Sequence, residues 1–238
     1  MNRPTPAQRQ QWEDEGYLEL EKAIPANQIA RLQAAFDRCA AAHKPAWLEG
    51  IADGTRPAGF FDIPDALQED DIFIDLVDHP SYYGLLRDFT DDNLIFLAPQ
   101  VRLLPPTPSA YVGWHPDVPH SNALHIKVQI YVEDVGPDQG AFAFVPRSHK
   151  PGAGPYPRNG RLESMPGHKV FLAPAGTAIM FNSYGWHTAM LNKSTKPRKS
   201  IILIYEKWNQ QAASTDRFST IAERINTPER RRLFYWER

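Results

Sequence analysis

Cysteine is almost absent: Cys39 is the one thiol among 238 residues. No internal disulfide can form, so a reducing compartment is the expected setting. A basic excess is lacking too, since 26 Lys and Arg stand against 28 Asp and Glu for a formal net charge of −2. Proteins that hold nucleic acid do so largely through cationic contacts to phosphates, and no nucleic-acid partner is expected. Long apolar runs are missing as well. Ile201-Ile202-Leu203-Ile204-Tyr205 is among the longest, far below the ~20 residues of a membrane-spanning helix. The opening residues Met1 to Gln10 contain no apolar stretch resembling a signal peptide. The expectation is a soluble cytoplasmic protein with no membrane partner. What is present, 42% hydrophobic and 23% charged residues, is the composition of a globular chain able to bury a core, at a length that fits one large domain over 1–238.

Three regions follow from the patterning. The first, about 1–92, reads as helical. Thr5-Pro6-Ala7-Gln8 supplies an N-cap hydroxyl, a proline at the first helical position and a reciprocal glutamine; that helix is expected to stop at Gly16. After an extended 17–20, Ile29, Leu32, Phe36 and Cys39 recur at three, four and three residues, one apolar helix stripe, which makes Cys39 a core residue. Residues 43–70 read as irregular because of their prolines and glycines, and a further helix is expected over 72–89. The second region, about 93–208, changes to short strands at 93–104, 125–132, 141–145, 169–172, 177–181 and 200–205, the texture of a sandwich or jelly roll. Four prolines and four glycines within 150–167 make that stretch a long loop, a lid or a surface excursion. The third region, about 209–238, returns to helix, with Thr227-Pro228 as a start signal and Arg230-Arg231-Arg232 read as a solvated face.

The chemistry concentrates in a few residues. In Trp114-His115-Pro116-Asp117 an imidazole and a carboxylate stand two residues apart, on one side of an extended chain. His187 follows the strand 177–181, from which a facing strand can bring a second imidazole to the same point. Two histidines and one carboxylate on one face of an octahedral ion leave three positions free, as in non-haem Fe(II) oxygenases, whereas zinc more often takes four ligands. Arg198 opens an apolar strand and calls for an anionic partner or an exit to water.

These residues fall in an order that resembles the phytanoyl-CoA dioxygenase family of Fe(II)- and 2-oxoglutarate-dependent oxygenases. Trp12-Glu13-Asp14-Glu15-Gly16-Tyr17 is similar to the family's opening and Trp114-His115-Pro116-Asp117 to its Trp-His-x-Asp. Gln139-Gly140-Ala141-Phe142-Ala143-Phe144-Val145-Pro146-Arg147-Ser148-His149 is similar to its Asn-Gly-x-Leu-x-x-Val-Pro-Gly-Ser-His, and His187, Asn192, Ser194, Pro197 and Arg198 to its distal histidine segment. The resemblance implies a mostly-β fold with flanking helices around a double-stranded β-helix, a cupin-like jelly roll. It implies that His115, Asp117 and His187 bind Fe(II) and that Arg198 holds the distal carboxylate of 2-oxoglutarate. With O2, such a site decarboxylates 2-oxoglutarate to succinate and oxidises, most often hydroxylates, an unactivated C–H bond. Gln129 stands where relatives have a cosubstrate-holding tryptophan, Gln100 at a second cosubstrate-lining position, and Thr188 beside Ala189 where relatives often have serine. Asp117 separates the chain from related halogenases, which carry a small residue there.

Phe60, Phe61, Tyr111, Trp114, His120 and Trp186 are the candidate substrate contacts. The substrate expected is a small molecule: an acyl-CoA, a secondary metabolite, or a carrier-tethered group met by a basic rim of Lys193, Lys196 and Lys199. Two other classes compete: a non-catalytic jelly-roll module that binds a ligand, and a zinc hydrolase, which leaves Arg198 without a role.

Overall fold

The structure is a computed structural model and describes residues 3–106, 113–157, 164–209 and 215–236. Helix α1 (Pro6–Glu15) begins as its sequence predicts, with Thr5 and Gln8 capping each other reciprocally, and ends at Gly16 in the left-handed region at φ 81°. Glycine is required there twice over, because a Cβ would also lie 2.4 Å from His149 Nδ1. Strand β1 (Tyr17–Leu20) leads into α2 (Ala26–Ala52), whose buried stripe of Ile29, Leu32, Phe36 and Cys39 is the predicted one.

Helix α2 corrects the irregular reading of 43–70, for it continues through Pro45 to Ala52. Proline removes one helical N–H and crowds the preceding turn. Here the flanking Ala40-Ala41-Ala42 and Ala46 favour helix, and Trp47 anchors the far end by stacking on Phe61 at 5.2 Å and donating to the Pro57 carbonyl at 3.1 Å. After strand β2 (Phe61–Asp62), α3 (Ala66–Glu69) is a further helical piece inside the stretch read as irregular, and the helix expected over 72–89 is broken into α4 (Asp71–Asp75) and α5 (Tyr83–Phe89). Asp70 caps α4 by accepting from the Ile72 N–H, and Pro80 lies in the break between α4 and α5.

The remaining strands are β3 (Leu94–Leu104), β4 (His125–Tyr131), β5 (Phe142–Phe144), β6 (Lys169–Val170), β7 (Ala178–Asn182), β8 (His187–Ala189) and β9 (Arg198–Lys207). All six predicted strands are found within a few residues. Among the described residues they form two antiparallel sheets, ordered β1-β7-β4-β9-β3-β2 and β6-β5-β8, the two layers of a jelly roll. The division at residue 92 does not hold as a boundary of architecture: β1 and β2 come from the nominally helical region yet form both edges of the larger sheet.

One face of that sheet carries Ile126, Val128, Ile130, Ile201, Leu203 and Tyr205, packed into one core with Leu32 and Phe36 of α2. The C-terminal region closes the same core. A 3-10 segment (Thr215–Arg224) and α6 (Pro228–Leu233) bring Phe218 and Phe234 onto Phe96 at 5.5 and 5.3 Å. Arg230 departs from the solvated-face reading: it pairs with Asp75 at 3.0 Å and Asp78 at 2.8 Å, tying α6 to the end of α4 and the segment after it. No helix among the described residues is long and apolar enough to cross a membrane.

Candidate active site

The opposite face of the larger sheet looks across to β5 and β8, and a cavity of about 230 Å³ lies between the layers. Strand alternation decides what it contains. On β4, residues 127 and 129 share the inner side; on β9 residues 198 and 202 do, and on β3 residues 100, 102 and 104. The lining therefore includes Lys127, Gln129, Arg198, Ile202, Gln100, Arg102 and Leu104, with His187, Thr188 and Ala189 from β8 and His115 and Asp117 from the loop before β4.

Two short backbone pairings set His115, Asp117 and His187. The His115 and His187 backbones bond to each other in both directions, at 3.1 and 3.0 Å, and the Asp117 N–H donates to the Ser183 carbonyl at 2.9 Å. One potential ligand atom from each side chain then lies within 4.8 Å of the others. Each imidazole donates through Nδ1 to a carbonyl, His115 to Gly113 at 2.7 Å and His187 to Gly185 at 3.0 Å. That fixes the tautomer and leaves both Nε2 lone pairs for a ligand, the outer-shell arrangement typical of metal-binding histidines. Asp117 Oδ2 stands 3.4 Å from His187 Nε2, and Oδ1 3.8 Å from His115 Nε2.

The electrostatics favour a carboxylate at Asp117 beside a neutral His187. Burial pushes the Asp117 carboxyl up, but His187 and the Lys127 ammonium outweigh it and hold it at about 2. Burial pulls His187 down to about 4 against the opposing pull of Asp117. The donor set fits a divalent ion: two nitrogens, one carboxylate, and in Asp117 Oδ2 a buried oxygen with no hydrogen-bond partner. Arg198 fits an anion in the same way. Its side chain is 3% exposed, its Nε and Nη1 have no hydrogen-bond partner, and its Cζ lies 5.8 Å from the Tyr131 ring centroid. An unmatched buried guanidinium is costly unless a ligand completes it. Gln129 Nε2 is likewise buried without a partner.

Of the residues singled out in the sequence, the structure thus gathers His115, Asp117, His187, Arg198, Gln129, Gln100 and Thr188 around one cavity. Four proposed substrate contacts fall elsewhere. Trp114 is buried in a small cluster with Ala143, Val145 and Met165, and Trp186 packs against that cluster. Each tryptophan directly precedes a cavity histidine, so alternation turns it to the other side of the chain. Phe61 is buried against Trp47, while Phe60 beside it does line the cavity. His120 stacks on Tyr184 at 4.7 Å and bonds the His149 carbonyl. Tyr111 lies outside the described residues.

Sequence reasoning passed over two cations. Arg102 donates to both carboxylate oxygens of Asp62 at 2.7 Å, with its Cζ 4.1 Å from the Phe60 ring centroid. Lys127 donates to Asp117 Oδ1 at 2.6 Å. Both were findable from period two alone, since Arg102 follows Gln100 by two residues and Lys127 precedes Gln129 by two.

The sequence profile of the phytanoyl-CoA dioxygenase family matches residues 12–200. No curated protein matches the chain. Among solved structures it is similar to the epimerase SnoN in complex with Fe3+, alpha-ketoglutarate and nogalamycin RO, at 19% identity and a TM-score of 0.64, covering 86% of this chain and 90% of that one. The alpha-ketoglutarate-dependent carbocyclase SnoK from nogalamycin biosynthesis is 16% identical, with a TM-score of 0.66 over 85% and 84% of the two chains. HygX from Streptomyces hygroscopicus, with nickel and 2-oxoglutarate bound, is 16% identical, with a TM-score of 0.67 over 87% and 91%. At such identities the likeness is one of fold.

Proposed function

The chain belongs to the phytanoyl-CoA dioxygenase family, and on that premise we propose that it is a non-haem Fe(II)- and 2-oxoglutarate-dependent dioxygenase that hydroxylates an unactivated C–H bond of a small molecule. The observation that carries this reading is the pairing, within one cavity, of an open two-histidine, one-carboxylate donor set with a buried arginine lacking partners for two of its nitrogens. His115 Nε2, His187 Nε2 and Asp117 Oδ2 would hold the iron. Arg198 would pair with the distal carboxylate of 2-oxoglutarate by charge-assisted bonds, with Gln129, Gln100 and Thr188 along its length. When bound, iron, 2-oxoglutarate and O2 together supply the oxidation, with loss of CO2 and formation of succinate.

The chain's own residues orient and shield. The Gly113 and Gly185 carbonyls keep the two imidazoles in the ligating tautomer. Phe142, Phe181 and Ile202 give the cavity apolar walls, which disfavour water beside a reactive centre. The similarity to SnoN and SnoK, the latter from nogalamycin biosynthesis, supports a secondary metabolite ahead of an acyl-CoA or a carrier-tethered group. It also keeps epimerisation and ring closure beside hydroxylation as outcomes of the same oxidation.

The test is an anaerobic titration of metal-free protein with Fe(II) and then 2-oxoglutarate, followed by visible absorption. A metal-to-ligand charge-transfer band that is lost in His187→Ala is the expected result. A folded wild-type protein with no band and no cosubstrate binding overturns the reading in favour of a binding module or a zinc site.

A further inference from the structure

Lys127 has no role in the reading above, yet its ammonium bonds directly to one of the candidate ligands. We propose that Lys127 is a positioning residue for the metal centre. Its ammonium holds one oxygen of Asp117 so that only the other is offered to the ion, and its charge keeps metal affinity below that of the bare ligand set. The inference rests on the metal-centre reading and adds a residue to it.

Three observations support it. Lys127 sits in the middle of β4, opposite Phe181 of β7 on one side and Ile204 of β9 on the other. A backbone laddered on both sides gives its side chain a fixed origin. The side chain is 11% exposed and its Nζ lies 2.6 Å from Asp117 Oδ1, a short charge-assisted bond. The two carboxylate oxygens have different surroundings: Oδ1 is taken by the ammonium, whereas Oδ2 is buried, 3.4 Å from His187 Nε2, and without a hydrogen-bond partner.

A carboxylate can bind a cation through one oxygen or both. With Oδ1 pinned, Asp117 is held to single-oxygen ligation. A second bound oxygen would take a coordination position that the two-histidine, one-carboxylate arrangement otherwise leaves open. The same ammonium is a unit positive charge beside the ligand oxygen, in a partly buried place where water screens little, so it opposes an incoming cation. Lys127 thereby trades strength of metal binding for an open coordination shell.

The experiment titrates metal-free wild type, Lys127→Met and Lys127→Gln with Co(II), reading affinity from visible absorption and the ligand shell from X-ray absorption at the cobalt edge. Both variants are expected to bind Co(II) about tenfold more tightly or better, because both lose the charge. The ligand shell is expected to change as well: Lys127→Met, which offers Oδ1 no donor, gains a second carboxylate oxygen. Unchanged or weaker Co(II) binding in a variant that melts cooperatively overturns the proposal, as does an unaltered shell in Lys127→Met. Should Lys127→Met not fold, the affinity of Lys127→Gln decides. Wild-type protein that takes up no Co(II) overturns the metal centre itself, which separates that failure from one confined to Lys127.

Discussion

The two sides of strand β4 are built from opposite materials. His125 to Tyr131 are all buried, but Ile126, Val128 and Ile130 face the helices and join the main core, while Lys127 and Gln129 face the cavity. Strand β9 repeats the division, with Ile201, Leu203 and Tyr205 on the helix side and Arg198 and Ser200 on the other. On the helix side the one polar tip among these residues, the Tyr205 hydroxyl, donates to the Val77 carbonyl at 2.7 Å. On the cavity side Gln129 Nε2, two nitrogens of Arg198 and the Ser200 hydroxyl have no hydrogen-bond partner. One face therefore supplies the free energy that keeps the other, with its unmet bonding capacity, poised for ligands. A sheet buried on both sides makes this possible without a separate binding domain.

Substitutions on the two faces are expected to act with opposite sign. Leu203→Ala, on the helix side, should lower stability by about 2–5 kcal/mol through lost burial and a residual cavity, with cosubstrate affinity per folded molecule unchanged. Denaturant titration beside the charge-transfer assay measures both. Arg198→Leu, on the cavity side, should weaken 2-oxoglutarate by about 1.5–3 kcal/mol. It should also raise the melting temperature of the ligand-free protein, because it removes a buried charge that burial already disfavours. A lowered melting temperature would show that the arginine has a structural partner, and the comparison would fail.

The smallest effect concerns acid. Burial depresses His125 from 6.5 to about 4, so it is neutral in the folded protein and takes up a proton more readily when unfolded. Its contribution is fully present above about pH 6.5 and is lost as the pH falls towards about 4; His187 is shifted in the same direction. His125→Leu should therefore flatten the stability decline, by on the order of 2 kcal/mol near pH 5. Urea midpoints at neutral and acid pH give the difference, and an equal decline in wild type and variant would count against a neutral buried His125.

What the sequence revealed about the site, and what it hid, follows from distance along the chain. His115 and Asp117 are neighbours in one extended triplet, and His187 and Arg198 lie within one segment, so a linear reading could assemble the cavity's ligands. Period two places Lys127 on the cavity side, but its pairing with Asp117, ten residues away, is brought about only by the fold. Trp114 and Trp186 lie outside the cavity for a simpler reason: each adjoins a cavity histidine in sequence, and in extended chain the adjacent residue points the opposite way. Strand positions were readable from alternation and turn residues. The continuation of α2 past Pro45 was not, since it depends on the tertiary anchor of Trp47 on Phe61, and the membership of β1 in the larger sheet depends on β7, some 160 residues later.

The sheet order has a consequence for synthesis on the ribosome. In β1-β7-β4-β9-β3-β2, strands β1 and β4 adjoin strands made later, and β3 finds only the two residues of β2 before β9 emerges. One flank of β4 can pair with β7 first, but the other stays open until about residue 207 has left the exit tunnel, the situation in which nascent chains associate wrongly. The site is completed late: His187 of β8 follows His115 and Asp117 by some 70 residues, and Arg198 comes only with β9, the last core strand. A nascent chain halted before β9 holds no complete site to load.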